Sequence, residues 1–166
     1  MKKLTLLALL VFLFTSIQAQ EFEGIEKGDK EISFFGMVMA ARYATMGYLS
    51  LSGGYYFTEK LMAGAAPGVI IATGFSDFNL TLFGTYNFVT DKPAFPYLKA
   101  SLSQLSFKTY DGTVPFFSNM SLQAGGGYKF FFSERFAWDT NATIGFNFGS
   151  PVQVKLTILT GLTFIL

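Results

Sequence analysis

The sequence predicts an all-β chain, eight antiparallel strands closing in up-and-down order into a barrel that crosses a bilayer. Three observations predict it. The first is Phe136 to Phe148, FAWDTNATIGFNF, which alternates for thirteen residues. Phe136, Trp138, Thr140, Ala142, Ile144, Phe146 and Phe148 share one face; Ala137, Asp139, Asn141, Thr143, Gly145 and Asn147 share the other. Successive side chains of a strand point to opposite faces, so this is one strand with an apolar and a polar side. Soluble strands usually run about 5–6 residues, whereas a tilted strand crossing lipid needs about 9–11. The second observation is that 51% of the chain is hydrophobic, yet no segment beyond the N-terminus approaches an apolar run of about 18 residues. Spanning helices are excluded, and only helices or closed barrels satisfy every backbone group within lipid. The third is that turn signals cut the chain into an even number of strand-like segments. Both termini then fall at one end, as single-chain membrane barrels require.

Residues 1–19 stand apart. Lys2 and Lys3 precede the apolar run Leu6 to Phe14, and Ser16-Ile17-Gln18-Ala19 supplies a small residue before Gln20. This is the pattern of a secretory signal peptide cut after Ala19. The apolar run is about nine residues, too short to span a bilayer. Without Lys2 and Lys3 the net charge is close to zero, so no basic patch for nucleic acid is expected. The chain has no Cys, hence no disulfide framework and no thiolate chemistry. A surrounding bilayer explains how so small a domain does without staples, because lipid covers its apolar face.

Residues 20–30 carry acidic side chains, Gly24 and Gly28, and no periodicity. They are expected to form a short disordered tail, with the barrel occupying 31–166. The first strand is placed at Ile32 to Ala41, with Ile32, Phe34, Gly36, Val38 and Ala40 against Ser33, Phe35, Met37 and Met39, both faces too apolar to orient. The second, Met46 to Phe57, turns Leu49, Leu51, Gly53, Tyr55 and Phe57 outward. Thr58-Glu59-Lys60 then makes a tight turn. The third, Leu61 to Ala72, contains Pro67, which cannot donate to a ladder; a bulge or an early strand end is expected there. The fourth, Phe78 to Val89, sets Phe78, Leu80, Leu82, Tyr86 and Phe88 against Asn79, Thr81, Phe83, Thr85 and Asn87. The fifth, Phe95 to Phe107, places Lys99, Ser101 and Ser103 on its polar face. Asp111-Gly112 is the strongest hairpin signal. The sixth runs from Ser118 to Phe131, the seventh is the strand already described, and the eighth is Val152 to Leu166 after Gly149-Ser150-Pro151.

With signal peptide, strand number, alternation and turn spacing in hand, the chain resembles the small eight-stranded outer-membrane β-barrels, OmpX-like and OmpA-barrel-like. The resemblance covers Glu31 to Leu166. Its C-terminus, LTGLTFIL, puts Leu162, Phe164 and Leu166 on one face. This is similar to the closing strand that the outer-membrane barrel assembly machinery reads in that family, although Leu166 stands where an aromatic residue is usual. The resemblance implies a monomer in a bacterial outer membrane, with the lipid bilayer and the assembly machinery as partners. Aromatics beside the turns after strands two, four and six are expected to form the periplasmic girdle: Tyr55, Tyr56 and Phe57; Tyr86, Phe88, Phe95 and Tyr97; Tyr128, Phe130, Phe136 and Trp138.

The chain has no His. That removes the usual general base and the Ser–His arrangements of nucleophilic catalysis. Barrel enzymes acting on lipid A or phospholipid depend on a His, so no catalysis, metal or cofactor is expected. Lys99, Lys129, Lys155 and Asp139 lie mid-strand on polar faces. An eight-stranded interior is just wide enough to be packed by side chains, so these four are expected to pair and fill the lumen. Lys129 and Asp139 flank one turn and are the expected pair; a selectivity or ligand site is the alternative. Gly125-Gly126-Gly127 lies inside a strand with no Gly-Lys-Ser/Thr after it, which points to close packing in the wall and away from a phosphate loop. Asn79-Leu80-Thr81, Asn119-Met120-Ser121 and Asn141-Ala142-Thr143 match the glycosylation pattern but fall in strands with Asn inward. The longest connection, FKTYDGTVPFF from Phe107 to Phe117, offers Lys108, Tyr110, Asp111, Phe116 and Phe117 as candidates for contact with a surface partner; the ordinary longest loop of a barrel is the equal alternative.

The expected role is structural or interactive at the cell surface. Two alternatives stand beside it. One is a narrow channel or carrier of small apolar ligands, with Phe35, Met37, Met39 and Phe83 lining the interior. The other is a soluble lipocalin-like barrel, which would carry its apolar residues inside and its polar ones outside.

Overall fold

The computed structural model describes residues 24–41, 44–72, 75–89, 92–105, 120–148 and 153–166. The eight strands are β1 (Lys30–Ala41), β2 (Ala44–Tyr56), β3 (Leu61–Ala72), β4 (Phe75–Asn87), β5 (Ala94–Leu105), β6 (Met120–Ser133), β7 (Phe136–Asn147) and β8 (Gln153–Ile165). Each pairs antiparallel with its sequence neighbours, and β1 pairs with β8 to close the barrel. The closing seam is short, running from Glu31 opposite Ile165 to Gly36 opposite Thr160. The residues before β1, the C-terminus and the connections β2–β3, β4–β5 and β6–β7 share one end, called here the terminus end.

Period two, set by the pleat, decides which side chains face in. Leu51, Leu82, Leu98, Leu122, Ile144 and Leu156 lie exposed on the outer wall, Leu156 to 64%. Ser33, Ser52, Thr81, Thr85, Ser101, Ser103, Asn141 and Thr143 are buried inside. Polar inside and apolar outside reverses a soluble globule and excludes the lipocalin-like arrangement. The same rule orients β1: Glu31, Ser33 and Phe35 point inward while Ile32 and Phe34 point outward.

Three expectations are corrected. Pro67 neither bulges nor ends β3. The β2–β3 register is the same on both sides of it, from Ser50 opposite Gly68 to Gly53 opposite Ala65. Pairing merely lapses between, because proline lacks the N–H, while Pro67 stays opposite Leu80 on β4. Ser50 Oγ donates to the Pro67 carbonyl at 3.1 Å and occupies that acceptor. The register shift falls instead between Phe131 and Ser133 on β6. Second, the girdle is narrower than expected. Tyr55–Phe57, Tyr86–Phe88 and Tyr128–Phe130 do pair on the outer wall, at 5.1, 5.2 and 4.6 Å between ring centroids, with Trp138 exposed nearby. Tyr56, Phe95 and Tyr97, however, are buried in the lumen. Alternation outranks clustering here, since each shares parity with the inward Ser52 or Lys99.

Third, residues 24–29 are folded. The Gly28 N–H donates to the Tyr56 carbonyl and the Tyr56 N–H to the Asp29 carbonyl, both at 2.9 Å. Gly24 and Gly28 have φ of +89° and +103°, which suits glycine. This turn sets Ile25, 3% exposed, into the terminus end of the barrel. There it joins Tyr56, Met62, Phe83, Phe95, Phe131, Ala137 and Ile165 in an apolar plug. Every strand from β2 to β8 contributes at least one residue.

Candidate functional site

The lumen above the plug is the candidate site, and its first layer is ionic. Glu31 and Lys129 form a buried ion pair. The Tyr56 hydroxyl donates to Glu31 Oε2 at 2.6 Å, and Lys129 Nζ lies 3.0 Å from that hydroxyl. Glu31 Oε1 accepts from Ser33, whose hydroxyl lies 2.8 Å from that of Thr163. Beside this group the Tyr97 hydroxyl donates to Asp139 Oδ1 at 2.6 Å. The Lys129 ammonium lies 5.7 Å from the Tyr56 ring centroid and 5.4 Å from that of Tyr97, within cation–π range. Buried charges persist when paired and hydrogen-bonded, as these are.

The wall makes room for this layer. A Cβ at Gly127 would run into the Tyr97 ring, and one at Gly64 would meet the Phe83 ring. Part of the Gly125–Gly127 run is therefore explained by packing: Tyr97 can lie across the wall because residue 127 has no side chain.

Lys99 comes next. Its ammonium sits 4.9 Å from the Phe83 centroid and 5.6 Å from that of Phe35. Lys99 makes no ion pair within 4 Å, although Glu31 and Asp139 line the same narrow space. Above it opens a cavity of about 70 Å³, counted as space open to the centres of water molecules. At roughly 10–15 Å³ per water it holds about five. A hydroxyl–amide chain runs along its wall: Thr81 to Ser103 at 2.8 Å, Gln123 Nε2 to Ser103 at 3.3 Å, and Thr143 to Gln123 Oε1 at 3.2 Å. Farther from the termini Met37, Ile70 and Leu159 line it. Down among the ionic layer the free space shrinks to about 10 Å³, no more than a single water.

Of the four charged residues expected in the lumen, Lys99, Lys129 and Asp139 are there. Lys129 and Asp139 are opposite one another in register, but they do not pair. Lys129 reaches across to Glu31, and Asp139 is held by Tyr97. Lys155 stands opposite Gly145 on β8, and its side chain lies outside the described residues. So do all of Lys108, Tyr110, Asp111, Phe116 and Phe117. Sequence reasoning missed Glu31, Tyr56 and Tyr97. Extending the β1 alternation one step back from Ser33 would have turned Glu31 inward. Among the described residues no cluster of three or more His, Cys, Asp or Glu side chains could hold a metal.

No protein-family model matches the chain, and no curated protein does. Two solved structures do. The N-terminal β-barrel domain of Pseudomonas aeruginosa OprF superposes with a TM-score of 0.61 at 19% identity, covering 84% of this chain and 98% of that one. The outer membrane protein OprG of the same species gives 0.55 at 13% identity, covering 86% and 98%. The fold is that of the eight-stranded outer-membrane barrels. At these identities the likeness is one of fold alone.

Proposed function

We propose that the protein is an integral outer-membrane barrel of a two-membrane bacterium, monomeric and delivered by its signal peptide to the barrel assembly machinery. It has a structural or interactive role at the cell surface, performs no catalysis and conducts no steady ion current. One observation carries this reading: the outer wall is an apolar belt while the terminus end of the lumen is filled. Exposed Leu and Phe side chains at mid-wall need lipid to cover them. The plug and the Glu31–Lys129 layer, with only about 10 Å³ of free space beside them, support a closed terminus half. The absence of His fits a non-catalytic role. The folds matched belong to a P. aeruginosa outer membrane protein and to the barrel domain of another protein of that species, which supports the location.

Two measurements test it. Fractionated envelopes should hold the protein in the outer membrane, and recovery from soluble periplasm without detergent would overturn the location. Purified protein in planar bilayers should give no stable open level; steady porin-sized currents would show that the lumen is open. The narrow-channel reading would then replace the closed one.

A further inference from the structure

The seam that closes the barrel stops short of its own strands. Strands β1 and β8 pair only from Glu31 opposite Ile165 to Gly36 opposite Thr160, yet β1 runs on to Ala41 and β8 begins at Gln153. At the same register Met37–Ala41 would lie opposite Leu159–Lys155, and none of these positions pairs across the seam. The strands themselves are not frayed there, since β1 stays paired with β2 and β8 with β7. At the start of the seam Lys30 and Leu166 exchange both main-chain hydrogen bonds. The even residues of both strands therefore aim their N–H and C=O groups at each other. Past Gly36 that alternation turns the main-chain groups of Val38 and Ala40, and of Leu156 and Ile158, into an opening. Open strand edges persist at membrane depth only against protein or a water-filled cavity. The lumen cavity meets this opening: Met37 borders it from β1, Thr157 and Leu159 from β8. All three are half-buried, whereas Ser33 and Thr163, in the paired part of the seam, are 0% exposed.

We infer that the opening is a lateral portal, and that it admits the acyl chain of a bilayer lipid to the lumen. It faces lipid, because Leu156 and Ile158 beside it are exposed on the outer wall. The inward residues at its rims are Met37 and Leu159, and Ile70 follows one strand beyond Tyr48. These are apolar side chains at inward positions of a kind filled elsewhere around the cavity by Ser, Thr and Asn. The lumen selects no ion, since the charges of Glu31, Asp139, Lys99 and Lys129 cancel. Nor does the wall call for a polar ligand. The hydroxyls of Thr81, Ser103 and Thr143 already bond to one another or to Gln123, and a hydrocarbon chain leaves those bonds intact. Entry of the chain covers apolar surface on Met37, Leu159 and Ile70 that water would otherwise wet, and this drives it. The size sets how far it goes. Space for about five waters, at roughly 30 Å³ of liquid each, takes the last five to seven carbons of a chain. The headgroup stays in the leaflet.

The inference goes beyond the closed-barrel reading and rests on its placement of the wall in lipid. The chain has no Cys and a single Trp, so introduced residues of either kind can report alone. The first measurement is oxidation of paired cysteines in vesicles. Phe34→Cys with Leu162→Cys, partners in the paired seam, should be joined by a mild oxidant. Val38→Cys with Ile158→Cys, partners only if the register continued, should remain free thiols, because a disulfide needs Cα atoms within about 7 Å. The second is fluorescence in vesicles of phosphatidylcholine with brominated acyl chains, which quench a Trp they touch. Trp138 of the unaltered protein, exposed on the outer wall, reports whether that wall is in lipid at all. In a Trp138→Phe background, Met37→Trp should lose most of its fluorescence, while Phe83→Trp, within the plug, should keep most of its own. Leu159→Trp repeats the measurement from the other rim if Met37→Trp fails to fold. Full linkage of the 38–158 pair, or no more quenching at the rim than at position 83, would overturn the portal. An unquenched Trp138 would overturn the membrane reading and the portal with it.

Discussion

The two halves of the lumen are built from the same eight strands to opposite ends. In the terminus half Tyr56 and Phe95 are fully buried and Lys129 almost so, with the Lys129 ammonium tied to Glu31 and Tyr56. In the other half short hydroxyl and amide side chains line open space. Backbone geometry does not cause the difference, since strand number and inward parity hold throughout. Side-chain size does: Tyr, Phe, Met and Lys fill an interior of this width, while Ser, Thr and Asn at equivalent inward positions cannot. Packed and open space are thus separated along one axis.

The comparison is broken most severely by Lys129→Met. Removing one partner of a buried ion pair leaves the Glu31 carboxylate without a countercharge, held only by the Tyr56 and Ser33 hydroxyls, which should cost about 3–5 kcal/mol. Urea titration in lipid vesicles measures it, and adding Glu31→Gln should recover a large part. A loss under about 1 kcal/mol would mean that the pair carries little of the terminus half. Phe95→Ala empties part of the plug and should cost about 3–5 kcal/mol by the same titration. If it proves mild, the plug collapses around the gap and is looser than its burial suggests.

Ala142→Arg tests the wall that both halves share. Ala142 is exposed at the middle of β7, and Arg at the lipid midplane should cost about 2–4 kcal/mol. Asn141→Arg turns the same charge into the lumen, beside the cavity and one layer from Asp139, and should cost less. The reverse order would mean that the outer wall is not in lipid. The smallest effect is expected in the loop-side half. Ser103→Ala deletes a hydroxyl that serves Thr81 and Gln123, for about 0.5–1.5 kcal/mol. A loss as large as that for Phe95→Ala would show this half to be as tightly specified as the other.

Much of the wall was legible in the sequence because period two is a local signal. The faces of β2, β4 and β7 follow from reading alternate residues. The faces of β1 were illegible because Phe35 and Met37 are as apolar as Ile32 and Phe34; Glu31, one residue before the expected strand start, held the information. The contacts inside were a different matter. Glu31 and Lys129 are 98 positions apart and meet across the lumen. Which inward residues face each other there depends on strand tilt and stagger, which no local pattern encodes. Lys129 and Asp139 look like a pair because they are cross-strand neighbours, yet Tyr97 reaches Asp139 first, over the space that Gly127 leaves open.

The plug has a consequence for how the chain reaches this state. Its members run from Ile25, ahead of β1, to Ile165 near the end of β8, with every strand from β2 to β8 represented. No hairpin, and no half of the chain, contains enough of it to shield from water. An incomplete barrel therefore gains almost none of this burial, and the gain arrives when β8 meets β1. Folding rates fall as the sequence separation of native contacts grows, and here the most buried contacts are among the most widely separated. Acquisition of the native state should accordingly be slow and all-or-none, with the closing seam of Glu31–Gly36 and Thr160–Ile165 and the plug formed in one step.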